Sequence, residues 1–285
     1  AGWNMVHGFQ QTRTYNFQPY QYRFNNGVPN RVTLYATPYK IHNRQDGDTG
    51  FFAQDRWSLD RWTLTLGVRY DQFVTSFPEQ TIDAGHLFPN RNLTFPEQKN
   101  LDWKDVTPRF GAVYDVFGNG RTALKVSLNK YLNGQTLNGL GGSPNPFNQL
   151  VLTATKSWND SFYPVGDPRR GNFKPDCDLM APGANAECGA LSNNAFGTTR
   201  QGDLFDPDLL TGWNHRNYNW EFMAGVQHEI MPRVAVDVGY FRRWFGNFQA
   251  TDNLLVGPED FTEFSLTAPL DSRLPGGGGQ TITGL

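Results

Sequence analysis

The feature that most constrains this chain is two-residue alternation sustained over strand-length stretches. From Trp62 it reads Trp-Thr-Leu-Thr-Leu-Gly-Val-Arg-Tyr-Asp, which puts Trp62, Leu64, Leu66, Val68 and Tyr70 on one face. Thr63, Thr65, Gly67, Arg69 and Asp71 fall on the other. A side-chain period of two with one apolar and one polar face specifies a β-strand. About ten residues is the length of a tilted strand that crosses a membrane.

Two further stretches repeat the design as hairpins. Pro108, Phe110, Ala112, Tyr114 and Val116 oppose Arg109, Gly111, Val113 and Asp115. After Gly118-Asn119-Gly120, Thr122, Leu124, Val126 and Leu128 oppose Ala123, Lys125, Ser127 and Asn129. Directly paired residues share a face, so two even-numbered apolar rows require an odd-length turn. A three-residue turn closed by a left-handed Gly120 meets that need. It pairs Tyr114 with Leu124 and Phe110 with Leu128. In the third hairpin the even positions from Tyr218 to Ile230 and from Val234 to Tyr240 form the apolar face, around Met231-Pro232-Arg233. That register sets Glu221 opposite Arg243 and Gln227 opposite Asp237, a favourable arrangement for opposite charges. Arg242 and His228 lie on the apolar face near the strand ends, within reach of headgroups or water.

The first hairpin is less regular. Trp57 and Trp62 flank an expected four-residue turn, Ser58 to Arg61, and Asp55 falls in the outward row with Phe51 and Ala53. Whether Asp55 stays there or a bulge turns it inward is open. In the first 57 residues, Tyr20, Tyr22 and Phe24 read as an ascending strand. Asn25-Asn26-Gly27 then reads as an outer turn, followed by a descending strand that reaches Trp57. The expected total is about eight strands.

The tight turns near 58–61, 118–120 and 231–233 all lie on one side. Long excursions at 75–104, 133–213 and 251–285 lie on the other. Short turns opposite long loops are the pattern of an outer-membrane barrel, all-β, antiparallel and up-and-down. A soluble sandwich distributes its turns more evenly. Trp57, Trp62 and Phe117 at the short-turn ends, with Tyr70, Phe73, Tyr131, Tyr240 and Trp244 towards the loops, are expected to form two aromatic girdles. Enrichment of aromatics in any strand is the plainer alternative.

Composition agrees. Aromatic residues make up 14% and charged residues 18% of the 285 residues, and Gly, Asn, Thr and Pro abound, which favours strands joined by turns. No run of eighteen apolar residues is present, so no transmembrane helix is expected. The net charge of −2, with no basic stripe, argues against nucleic acid as a partner. Cys177 and Cys188 sit in a segment rich in Pro, Gly, Asn and Asp and are disulfide candidates, which would imply passage through an oxidising compartment. Two free thiols are the alternative.

Several stretches resemble TonB-dependent receptors, specifically the Oar-like group with a carboxypeptidase-regulatory-like N-terminal domain. They are Phe52-Ala53-Gln54-Asp55-Arg56-Trp57, Leu64 to Asp71, Asp105 to Gly111, Phe117 to Lys125, and Tyr22 to Pro29. The resemblance spans about residues 20–250 and implies outer-membrane lipid around the barrel. It also implies a plug domain and TonB as partners, and transport of an unidentified substrate. Family members also carry a signal peptide and a closing C-terminal strand. None of these parts is recognisable here, so the chain is expected to be an internal barrel segment.

On that reading the inward polar residues line the path or meet the plug: Arg69, Asp71, Arg109, Asp115, Lys125, Glu221, Asp237 and Arg243. Ordinary salt-bridged lumen rows are the alternative. A passive porin and a secreted carbohydrate-binding β-protein are the competing functions. Catalysis finds no support: there is no Gly-x-Ser-x-Gly elbow, no His-Glu-x-x-His and no phosphate-binding glycine loop, and the five histidines are scattered. No cofactor is expected. Asp46-Gly47-Asp48 hints at calcium but lacks the rest of an EF-hand.

Overall fold

The computed structural model describes residues 1–284. The strands in chain order are β1 (Gly2–Thr14), β2 (Tyr20–Asn25), β3 (Val28–Tyr35), β4 (Tyr39–Leu59), β5 (Trp62–Phe77), β6 (Gln80–Ile82), β7 (Leu93–Phe95) and β8 (Gln98–Asp115). Then come β9 (Thr122–Leu132), β10 (Thr153–Ser157), β11 (Thr211–Trp213), β12 (Tyr218–Met231), β13 (Val234–Gly246), β14 (Leu266–Thr267) and β15 (Thr281–Ile282). A single turn of helix, α1 (Pro207–Leu210), precedes β11. Among the described residues no helix is long and apolar enough to cross a membrane.

Seven long strands form one curled antiparallel sheet in the order β1-β4-β5-β8-β9-β12-β13, and the short β11 adds to β8 in parallel. The expected registers hold in the second and third hairpins. Phe110 pairs with Leu128, Tyr114 with Leu124, Glu221 with Arg243 and Gln227 with Asp237. Gly118 and Gly120 both take left-handed backbone, at φ 70° and 75°.

The first and third turns are tighter than the alternation suggests. Leu59 pairs with Trp62, leaving a two-residue turn in which Asp60 has φ 51°. Met231 pairs with Val234, and a bulge near Ile230 restores the parity. Asp55 pairs with Leu66 and so stays on the apolar face. There its carboxylate accepts from the Trp57 indole nitrogen at 2.6 Å.

The reading of residues 1–57 is corrected. The ascending strand is β1, which pairs with β4 from Gly2↔Phe52 to Thr14↔Tyr39. Residues 20–35 form a hairpin in a separate sheet, β10-β3-β2. Its alternating apolar side chains fill a core of their own, Val32, Leu34 and Ala36 against Ala154, Trp158 and Phe196. Alternation shows that a segment is a strand but not which sheet it joins.

The strands are also longer than expected. β4, β5 and β8 have 21, 16 and 18 residues, and β5 and β8 extend into the two ends of what reads as the 75–104 loop. Eighteen residues extend about 60 Å at ~3.3 Å each, beyond the roughly 40 Å that a tilted strand needs to cross hydrocarbon. Burial divides them at mid-length. Trp62 to Tyr70 are exposed or half-buried, whereas Asp71, Phe73 and Thr75 to Phe77 are buried. In β8, Pro108 to Phe110 are exposed, and Asn100, Leu101, Trp103 and Asp105 are buried. Bulges fall near this boundary, at Asp46 of β4 and at Asn100-Leu101 of β8. They bend the strands where the wall passes under the loops.

Below the boundary the apolar face is open. Leu66, Leu124, Val126, Val236 and Val238 are 39–66% exposed, and among the described residues no helix or second sheet lies over them. Aromatics bracket this band. Trp62 stacks near Tyr114 (4.5 Å) towards the short turns, while Phe51 with Tyr70 (6.4 Å) and Trp220 with Trp244 (6.4 Å) mark the loop side. Phe73 and Tyr131 are not girdle residues. Phe73 is buried on the polar face with Leu101 and Trp103, and Tyr131 lies on that face under Arg109.

The outer segments fold. β6 and β7 pair, and Ile82 and Phe95 pack with Phe147 and Leu150. Arg91 holds this excursion to the β3–β4 connection by donating to the carbonyls of Asp83, Ala36 and Pro38 at 2.7–3.0 Å. Residues 248–285 form a separate compact unit, with β14 and β15 as a small hairpin.

Candidate functional site

The inner, polar face carries charged groups at three levels. Nearest the short turns is Asp115. Its carboxylate accepts from the amides of Gly118 (3.0 Å) and Gly120 (2.8 Å), so it closes the turn between β8 and β9. Lumen contact was the expectation for Asp115. The turn claims it because both left-handed glycines aim their N–H groups at the end of β8.

The second level runs across β9, β12 and β13. Lys125 donates to Gln227 at 2.5 Å and to Asp237 at 3.0 Å, reaching diagonally over β12. Arg243 pairs with Glu221. Asp237 and Arg243 are each 58% exposed, and pairs of this kind stabilise by at most about 1 kcal/mol. They are fixed charges facing an open space rather than struts.

The third level is the most buried of the three. Arg69 donates through Nε to both oxygens of Asp71 (2.8 and 2.9 Å), and its Nη2 reaches Asn4 of β1 at 2.8 Å. Asp71 pairs with Asp105 on β8, and Asp105 is fully buried. Into this acidic pair the residues ahead of β12 insert Arg216, which is 4% exposed. Its Nε stands 3.4 Å from Asp105 Oδ2 and its Nη2 3.9 Å from Asp48 Oδ1, with the guanidinium 5.4 Å from the Phe73 ring centre. Both Asp105 oxygens and Arg216 Nε and Nη2 lack hydrogen-bond partners. Lys130, at the fork where β9 leaves β8, donates to Asn214 at 3.3 Å. These groups surround a cleft of about 220 Å³. Arg109, exposed beside it, lies 5.2 Å from the Tyr131 ring.

Arg69, Asp71 and Arg109 therefore belong to one inner-wall cluster. Lys125, Glu221, Asp237 and Arg243 form the second row, and Asp115 stands apart. Asp105, Lys130 and Arg216 escape sequence reasoning, and Asp48 stands out there only as part of the calcium-like Asp46-Gly47-Asp48. Asp105 and Thr107 continue the odd-numbered polar row of β8, so extending the alternation upstream of Pro108 would have found them. Arg216 lies in an irregular segment without periodicity. The cluster presents fixed charges of both signs to ionic groups. Among the described residues no three His, Cys, Asp or Glu side chains converge as a metal site.

The loop between β9 and β12 is braced internally. Cys177 and Cys188 form a disulfide with Cα atoms 5.9 Å apart. Lys156 of β10 donates to the carbonyls of Asp178 (3.1 Å), Ala181 (2.7 Å) and Gly183 (3.2 Å) inside that loop. Burial pushes the Lys156 ammonium below its ordinary range.

This architecture agrees with what known proteins show. The family model "TonB dependent receptor-like, beta-barrel" matches residues 1–285. The TonB-dependent transporter Oar of Myxococcus xanthus is 31% identical over 233 residues, 77% of this chain and 19% of Oar. The ferrioxamine B receptor of Salmonella typhimurium is 36% identical over 92 residues, 32% of this chain and 10% of the receptor. The chain thus spans about a fifth or less of the length of these relatives, and no solved structure matches it. With a family match over its whole length and a curled sheet apolar outside and polar within, the chain belongs to the TonB-dependent receptors, an outer-membrane family of transporters and receptors, and forms part of their β-barrel.

Proposed function

We propose that this chain forms part of the barrel wall of an energised outer-membrane transporter. Its long loops face the outside and capture the substrate. Its inner charges meet a plug whose movement TonB drives. The observation that carries this reading is the pairing of an open apolar band outside with the buried Asp71, Asp105 and Arg216 and the half-buried Asp48 inside. The sequence carries no catalytic constellation, and the family transports rather than transforms.

The test uses the complete receptor in cells, with Lys125→Cys labelled by a membrane-impermeant maleimide. Plug movement predicts faster labelling when TonB and the proton gradient are present than when TonB is deleted. Equal rates under both conditions would favour a passive porin.

A further inference from the structure

The loop between β9 and β12 holds two buried carboxylates that form no salt bridge among the described residues. Asp160 and Glu187 are 5% and 3% exposed. Each uses one oxygen on nearby N–H groups. Phe173 N donates to Asp160 Oδ2 at 3.3 Å. Asp176 N and, at 3.1 Å, Trp158 Nε1 donate to Glu187 Oε1. The remaining oxygens, Asp160 Oδ1 and Glu187 Oε2, are buried without any hydrogen-bond partner. Neither residue forms a salt bridge among the described residues. The neighbouring Lys156 ammonium is already held by three carbonyls.

The two groups belong to one small place. Asn159 N donates to Glu187 O at 2.9 Å, which lays the chain segments side by side. The amides they hold, Phe173 and Asp176, are three residues apart on a third segment. Asp176 adds negative charge nearby, with one carboxylate oxygen engaged by Asn172 at 2.7 Å. An unpaired buried carboxylate is strongly disfavoured, and several together more so. A hard cation satisfies both oxygens at once.

We propose that Asp160 Oδ1 and Glu187 Oε2 ligate a divalent cation of the calcium class. The ion ties residues 159–160, 171–176 and 187 together beside the Cys177–Cys188 disulfide. Two carboxylates leave the rest of the shell to neutral oxygens, which suits the weak affinity of extracellular modules, about 10⁻⁴–10⁻³ M. This site is independent of the transport reading.

The test uses the complete receptor in detergent micelles, stripped with chelator, with terbium as probe. Trp158 bonds Glu187, so tryptophan excitation should sensitise terbium luminescence. The signal should saturate and be reversed by millimolar calcium but not by equal magnesium. An Asp160→Asn, Glu187→Gln double variant, checked for an intact disulfide and a folded barrel on unheated gels, should bind terbium at least ~10-fold more weakly. Calcium should also raise the melting temperature of the unaltered receptor. No calcium-reversible luminescence, an unchanged signal in the double variant, or a Glu187→Gln receptor more stable than the parent with calcium present would each overturn the site.

Discussion

Arg216 Nε lies 3.4 Å from Asp105 Oδ2, and this contact ties the end of the longest outer loop to the inner wall, across β9. Asp105 is fully buried, so its charge depends on that guanidinium. Arg216→Ala should lower barrel stability by about 3–5 kcal/mol, because it leaves a buried charge uncompensated. Adding Asp105→Ala should recover much of the loss. Denaturant unfolding of the complete receptor reads both, and additive losses would contradict the pairing.

Asp115 closes a turn rather than lining a path. Asp115→Ala should destabilise the β8–β9 hairpin by roughly 1 kcal/mol through loss of two charge-assisted hydrogen bonds. It should leave transport unchanged in a whole-cell uptake assay. Asp115→Asn should retain part of the stability.

The Cys177–Cys188 bond closes a loop with a sequence separation of 11. Replacing both cysteines with serine should destabilise the outer loop by about 3 kcal/mol, chiefly by freeing its unfolded state. Limited proteolysis should then cut within residues 159–200 while the barrel strands resist. Equal resistance with and without the bond would show that Lys156 and the Trp158 core suffice.

Burial holds Lys156 below its ordinary value of 10.5, so the folded loop favours the neutral amine. The resulting stability is fully present above the unfolded value and is lost as pH falls through the lower folded one. As pH rises towards 10.5 the native loop should therefore gain stability relative to Lys156→Met. Hydrogen exchange at residues 178–183 measures it. Parallel pH profiles for the two proteins would refute the assignment.

How far the sequence reveals this structure depends on what each residue answers to. Leu64, Leu66, Leu124 and Val126 answer only to their strand and the medium outside it, so a two-residue period sufficed for them. The hairpin registers followed from the same parity. Tyr20, Tyr22, Val32 and Leu34 alternate equally well, yet they join another sheet, because partner choice depends on contacts with Ala154 and Trp158 more than a hundred residues away. The upper part of β8, before Asp105, does not stand out in the sequence because loops cover it, so buried polar residues such as Asn100 and Asp105 replace apolar contrast. Arg216 carried no periodic signal at all. Its role exists only once β8 and the 133–217 segment meet.

The central claim is that hydrocarbon wets the even-numbered face of β5, and it is tested most directly by spin labels at Leu66 and Thr65 of the complete receptor in bilayers. Leu66 is 39% exposed on the apolar face, and Thr65 lies on the opposite face. The label at Leu66 should collide with oxygen dissolved in the membrane and be shielded from a water-soluble nickel chelate. The label at Thr65 should show low oxygen accessibility and a polar environment. The reverse pattern, or equal accessibility at the two positions, would contradict the account.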